Sequence, residues 1–535
     1  MTVDLAARTR AWALALTARP SVTGTAEEAA FGPWLAEQLV KSDRFGAAEV
    51  WTFPVAVGDG RQCVAMLLRA AGSATVLLTG HYDTVTFDDY GPLAPLATLP
   101  EALATALRAK LDLSALGPGE RLAREDLASG AFLPGRGLLD MKAGLAAGLA
   151  VAENFAANPD AIGNLLFLAV PDEEATSAGA RAAAAELKTI AARRGVDLVA
   201  AINLDAIADT GDGSAGRAIA LGTVGKVLPT AFVAGVPTHS GFPYNGLNAA
   251  VLLAAICARV EWAAELTDDS AGQPGTPPSL LSMRDGKLGY DVTTPATAFA
   301  AWNVLLHRRR PDDILAAFEG LCHAAVQGCL AALKERARQH RLPGGEVLPV
   351  VKFYRYEAVL QAARLRGDVD AKLAGLAVTL AASGLSLPEI CGRGTALVWL
   401  ASELPGPAVV LGFGSVPYLA THLSASAEAR RLEAVVREVA SAAGSVAVTE
   451  YFAGISDMSF FGEADETVLH AVAANTPLWG SAIRWPVGGA LAQVPTVNIG
   501  PWGRDYHTPL ERLQLDYGFN VLPGLIRDVV ERVLA

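Results

Sequence analysis

Short, nearly unbroken apolar runs alternate along this chain with stretches of helical spacing. The runs 74–79, 164–170, 198–204 and 494–499 are rich in Val, Leu, Ile and Ala and stop at turn-forming residues, the pattern of strands buried on both faces. Helical periodicity fills the intervals over 141–155 and 177–190, and an earlier helix is predicted over 25–39, with Glu27, Glu28 and Glu37 on its wet side. Strands that take turns with helices predict an α/β fold, a mostly parallel sheet with helices on both faces. In such sheets the chemistry gathers beyond the carboxyl ends of the strands.

The pattern shifts near residues 222–229. A strand over 231–236, an Ala/Leu helix from about 247, a second strand over 298–306 and a helix over 312–333 form a block that closes in the polar stretch 334–345. The expected organisation is a catalytic domain in two parts, 1–228 and 345–535, interrupted by an inserted α+β domain over 229–344. Inside the first part, 88–134 is rich in Pro, Gly, Leu and Ala and reads as an insertion with a helix over 101–110. No internal repeat stands out.

Composition narrows the classes. A length of 535 residues exceeds one ordinary core and fits roughly two to four domains. With 52% hydrophobic and 18% charged residues the chain is built to fold. A net charge of -12 offers no basic face for phosphate, so no nucleic-acid partner is expected. The five cysteines are scattered and include no C-x-x-C pair, which argues against a disulfide framework or thiolate zinc site and for a reducing cytoplasm. The apolar patch 11–18 reads as one face of a first helix and not as a signal peptide. The most apolar helical stretch, 247–260, is too short for a membrane span of about 20 residues, so a soluble protein is expected.

The candidate chemistry sits at the strand ends. Glu173 and Glu174 are adjacent after the run 164–170; one carboxylate can hold a divalent cation while its neighbour stays free to take a proton from water. His81 and Asp83 follow the run 74–79, and residues two apart in an extended segment point the same way, so Asp83 is placed to orient a metal-binding His81. Asp140 stands where the glycine-rich stretch 135–144 enters a helix, and Asp205 closes the run 198–204. His507 follows the last run, directly before Thr508, Pro509 and Glu511, which read as a capping box that opens a helix. Singly, each has an ordinary explanation: a capping pair, a helix N-terminal carboxylate, a turn former, a hydrogen-bonded histidine. Those explanations do not account for all of them falling near one edge of one sheet. Two histidines and three carboxylates suit zinc, manganese or cobalt better than magnesium, and five donors match two cations about 3.5–4 Å apart that share a carboxylate.

The order His81-Tyr-Asp-Thr-Val85, Gly137-Leu-Leu-Asp-Met-Lys-Ala-Gly144, Asp172-Glu-Glu174, Asp205, Thr238-His-Ser-Gly241 and His507-Thr-Pro-Leu-Glu511 resembles the co-catalytic zinc metallopeptidase family of aminoacylase, acetylornithine deacetylase, dipeptidases and glutamate carboxypeptidase. Nearly the whole chain is covered. The segments 222–229, 285–295 and 454–460 look like the branch of that family named for RocB and tied to arginine utilisation.

The resemblance implies that Asp140 bridges the metals and is followed by a cis peptide. His81 and Asp205 would complete one metal's shell, and Glu174 and His507 the other's. Glu173 would be the general base, Asp83 the residue that supports the ligands from behind, and His239 a donor to the oxyanion or a hold on the substrate. It also implies a lid with a four-stranded sheet and two helices, often a homodimer surface. The chain departs from the family in the long stretch between His81 and Asp140. It departs again at Arg308, Arg309 and Arg310, where the lid arginine of some relatives has no clear match. The expected function is metal-dependent hydrolysis of a dipeptide, N-acyl amino acid or related amide; the alternative is a non-catalytic metal- or ligand-binding protein that keeps the fold.

Overall fold

The computed structural model describes residues 3–535 apart from 57–58, 114–115, 270–273, 342–347, 382, 453 and 486–492. The chain divides into two units: Met1–Thr223 with Thr421–Ala464 and Pro486–Ala535, and Val224–Ala420 with Asp465–Trp485.

Among the described residues, the first unit carries an eight-stranded sheet in the order Glu49–Pro54, Gln62–Arg69, Ile162–Val170, Ala71–His81, Asp197–Asn203, Thr496–Asn498, Ala218–Ala220 and Ala447–Thr449. Its centre is parallel: Ala71–His81 runs with Ile162–Val170 on one side and Asp197–Asn203 on the other, and Thr496–Asn498 continues parallel beyond. The pair Glu49–Pro54 and Gln62–Arg69 is an antiparallel edge that the apolar runs did not announce.

Alternation along the strands explains their continuous hydrophobicity. Val76, Leu78, Leu165 and Phe167 face a core shared with the helices Leu5–Thr17, Ala143–Ala157 and Leu522–Leu534. Leu77, Leu166, Leu168 and Ala201 point the other way and are just as buried, so both faces of the sheet are covered.

The helix Ala143–Ala157 lies unusually close to the sheet, which its Ala and Gly residues permit. A Cβ on Gly144 would fall 2.0 Å from the carbonyl oxygen of Leu204, the residue before Asp205. Gly144→Ala is therefore expected to cost about 1–3 kcal/mol of stability by overpacking, read as an earlier urea midpoint. An unchanged midpoint would mean the helix can shift freely.

Residues 88–134 hold more order than the sequence promised. A 3₁₀ segment Asp88–Leu96, helices Pro100–Asp112 and Pro118–Ser129 and a strand Phe132–Pro134 follow one another, the strand pairing with Arg512–Gln514.

The second unit corrects the expected domain plan. Among the described residues its sheet has six strands, where four were expected: Gly225–Val227, Thr297–Leu306, Pro229–Ala234, Ala408–Phe413 and Lys352–Arg355, with Ser279–Asp285 paired to Thr297–Leu306. The expected return to the catalytic domain at 345 lies outside the described residues, yet 348–420 still belong to this unit, and the crossing back comes at Thr421. The cause is pairing. Ala408–Phe413, buried at every residue, aligns antiparallel with Pro229–Ala234 over its whole length and brings Lys352–Arg355 with it.

The helices Ala249–Val260 and Pro311–Gln339 pack on a core of Val233, Ala300, Trp302 and Leu411. Tyr356–Arg364, Val369–Leu380 and Leu387–Ser402 add a second cluster, which the two-helix expectation lacked. Pro311–Gln339 is long and apolar enough to cross a membrane, but Ile314, Leu315, Phe318, Leu321 and Cys322 spend its apolar face on this core.

Candidate metal centre

Three parallel strands deliver the donors to one edge of the first unit's sheet. His81 is the last residue of Ala71–His81, Glu173 and Glu174 follow Ile162–Val170, and Asp205 lies two residues past Asp197–Asn203. Asp140 comes from the turn before Ala143–Ala157, where its peptide bond to Met141 is cis. His507 sits in a turn at φ 62, after the strand Trp502–Arg504.

The distances show how the set divides. His81 Nε2 lies 3.2 Å from Asp140 Oδ1 and 3.8 Å from Asp205 Oδ1. His507 Nε2 lies 3.2 Å from Asp140 Oδ2 and 3.1 Å from Glu174 Oε2. Asp140 thus offers one oxygen to each histidine. Donor atoms of His81, Asp140 and Glu174 all fall within 4.8 Å of one another, a spacing that fits a cation. The donor chemistry agrees, with imidazole and carboxylate and no thiolate.

Electrostatics carry the same message. Burial opposes charge on every member. Against that cost, hydrogen bonds from His507 and His81 hold the Asp140 carboxyl well below the usual range. Despite its burial, His81 is raised by Asp140, Asp205 and Asp83, and His507 is raised to about 10 by Asp140 and Glu174. Glu174 and Asp205 are pushed up, first by burial and then by nearby carboxylate charge. Glu173 is pushed up by burial, with Asp457, Asp205 and Glu174 adding to the effect and His81 opposing it. Such crowding of buried anions is what cations relieve.

Glu173 stands apart from the pairs, its nearer oxygen 4.0 Å from His81 Nε2. Asp83 holds it there by a route that side-chain alternation did not indicate. The Asp83 carboxylate accepts the backbone amides of Glu173 and Glu174 at 3.1 and 3.2 Å and the Thr23 hydroxyl at 2.8 Å. His81 Nδ1 sits nearer the Asp83 carbonyl, 3.1 Å, than its carboxylate, 3.6 Å.

The helix expected after His507 is absent: Glu511 is followed by the strand Arg512–Gln514. The Glu511 carboxylate turns inward instead, accepting Arg136 Nη1 at 2.6 Å and the Gly137 amide at 2.9 Å, and so ties the His507 turn to the Asp140 turn. Burial lifts its carboxyl to about 7 even against Arg136.

Sequence reasoning also passed over Asn498. Its side chain accepts the Asp205 amide at 3.2 Å and donates to the Asp205 carbonyl at 2.9 Å, fixing that residue's backbone. An amide-bearing side chain at the end of a buried apolar run was the available signal.

His239 belongs to the second unit and is exposed there; its Nδ1 accepts the Gly241 amide at 3.0 Å, which leaves the proton on Nε2. The amides of His307, Arg308 and Arg309 converge on Asp268 Oδ2 at 2.7–2.9 Å, Arg309 donates to the Glu265 carbonyl, and Arg310 pairs with Asp465.

The model of peptidase family M20/M25/M40 matches residues 123–476, a span that includes Asp140, both glutamates, Asp205 and His239. The chain belongs to peptidase family M20/M25/M40. Membership makes it a hydrolytic metallopeptidase by family, with His81 and His507 outside the matched span.

Two Bacillus subtilis (strain 168) proteins are relatives of this M20 chain along most of its length. Protein YqjN is 29% identical over 528 residues, 96% of this chain and 94% of its own. Protein RocB is 28% identical over 518 residues, 93% and 87% respectively, in keeping with the RocB-like branch. A Staphylococcus aureus tripeptidase structure covers the whole of both chains at a TM-score of 0.53 and 16% identity, a likeness of fold.

Proposed function

We propose that this M20 chain is a two-cation hydrolase of a small amide, acting on a dipeptide, an N-acyl amino acid or an amide of arginine breakdown. The observation that carries the reading is the split of Asp140, with one oxygen toward each histidine. His81 and Asp205 would hold one cation, Glu174 and His507 the other, and Asp140 both. When bound, the cations, zinc or else manganese or cobalt, polarise the scissile carbonyl and acidify water.

The chain's own groups do the rest. Glu173, free of the ligand pairs, accepts the proton of the attacking water and returns it to the leaving amine nitrogen. Asp83 keeps the base in place through two backbone amides. By the family resemblance, His239 of the second unit would offset charge on the tetrahedral oxygen or hold the substrate. A screen of dipeptides and acylated amino acids with zinc, manganese or cobalt, read beside the metal content, tests the reading. Two bound equivalents with no hydrolysis across the screen would refute it.

Metal removal has a pH signature. In the metal-free chain Glu173, Glu174 and Asp205 are raised acids, and His81 and His507 are raised bases. The folded form therefore holds these protons more tightly than the unfolded one. That stability is fully present below the unfolded values and is lost as pH climbs, for His507 from about 6.5 toward about 10. Cations bind the deprotonated donors and reverse the trend. The gap in melting temperature between metal-loaded and chelator-treated protein is expected to widen from pH 6 to 9, by differential scanning fluorimetry. A constant gap would separate these groups from the metal.

Two further readings go with this one. All five cysteines are unpaired and four are buried, in support of a reducing cytoplasm. The strand Ser279–Asp285 and the loop after it expose Leu281, Met283, Leu288 and Tyr290, which supports a homodimer through the second unit, measurable by light scattering.

A further inference from the structure

The turn that presents Glu173 and Glu174 is wound on Asp172. This residue takes a left-handed φ of 71, and its carbonyl accepts the amides of Thr176 and Ser177 at 3.1 and 2.6 Å. Its carboxylate accepts the Thr176 hydroxyl at 2.5 Å and the Ala178 amide at 3.0 Å. The remaining partner is remote in sequence: Arg61 donates through Nη1 to Asp172 Oδ1.

Arg61 is itself held. Its Nε and Nη2 form a fork on Asp59 at 2.5 and 2.7 Å, and its side chain is only 18% exposed. Glu28 Oε1 lies 3.8 Å from Nη1, and the other oxygen of Glu28 accepts the Gly24 amide at 2.7 Å. One guanidinium therefore faces three carboxylates, and of these Asp172 alone is part of the glutamate turn.

We propose that Arg61 is a positioning residue: through Asp172 it sets the turn that carries the base Glu173 and the ligand Glu174. The inference rests on the hydrolase reading for the role of Glu173 and on geometry alone for Glu174. It separates the two cation positions. His81, Asp205 and Asp140 are carried by other segments, whereas Glu174 rides on the turn. Loss of the Arg61 anchor loosens the Glu174–His507 position and leaves the His81–Asp205 position as it was. A guanidinium that only neutralised buried charge would, on removal, weaken the whole unit and both positions together.

Cobalt(II) titration of the chelator-treated full chain, followed by visible absorption, reads this directly. Arg61→Met is expected to bind two equivalents, one of them about 10–100-fold more weakly than in the wild type, the cost typical of losing a partner behind a ligand. With the best substrate of the wild type, kcat falls in step while KM stays within about twofold. Arg61→Lys keeps a charge for Asp172 without the fork and falls between. Asp172→Asn, which tolerates the left-handed turn, reproduces the single weakened equivalent, and adding Arg61→Met to it causes no further loss.

Equal weakening of both equivalents, wild-type binding of both, or losses that multiply in the double variant would each overturn the proposal. Should the wild type bind two cobalt ions and hydrolyse nothing, the hydrolase reading fails, and the split in cobalt affinity still decides Arg61.

Discussion

Asp140→Ala is expected to leave a protein that retains neither cation and has no measurable hydrolysis. Both histidines approach this one carboxylate, His81 at Oδ1 and His507 at Oδ2, each at 3.2 Å. Without it, each cation position loses its shared anion, and the two histidines lose the group that draws them together. Mutating any other donor removes a ligand from one position only. Elemental analysis after desalting is the measurement, with zero equivalents expected against two for the wild type. Retention of two equivalents would contradict the bridging assignment, whatever happened to the rate.

Glu173→Gln should do the opposite to the metal and nearly the same to the rate. Glutamine keeps the size of the side chain and the backbone amide that donates to Asp83 Oδ1. Glu173 is also not among the donors nearest the histidines, so two equivalents should remain bound. What glutamine lacks is a site for the proton of water. The expected loss is about 10²–10⁴ in kcat, the range for a positioned general base. A variant with near wild-type turnover would remove Glu173 from the mechanism and leave the metal assignment standing.

The two variants thus separate the roles that adjacent and facing carboxylates share. Loss of metal is the result expected of Asp140→Ala, and loss of rate at constant metal the result expected of Glu173→Gln.

The parts of this molecule that were legible in its sequence are those fixed by local pattern. The central strands announced themselves because burial on both faces leaves no polar alternation, as Ile162–Val170 shows with eight of nine residues buried. Their last residues were legible as a set because a parallel sheet sends every carboxyl end to one edge. What escaped depends on partners far along the chain. Thr508-Pro-Leu-Glu511 carries a fair helix-start signal, but a buried arginine 375 positions away claims the Glu511 carboxylate.

Asp83 was placed beside His81 by alternation, while the amides it accepts lie 90 and 91 positions on. Ala408–Phe413 looks like any buried strand, and nothing in its residues tells that Pro229–Ala234 is its neighbour.

The strand Thr496–Asn498 sits inside the sheet, between Asp197–Asn203 and Ala218–Ala220, and His507 follows it 333 positions after Glu174. On the ribosome, at about 5–20 residues per second, the nascent chain waits on the order of half a minute with that slot unfilled. Four donors are then already made, three of them carboxylates without their second imidazole. A chain without this strand and the His507 turn would keep His81, Asp140, Glu174 and Asp205 as an acidic hollow with one imidazole in place of two.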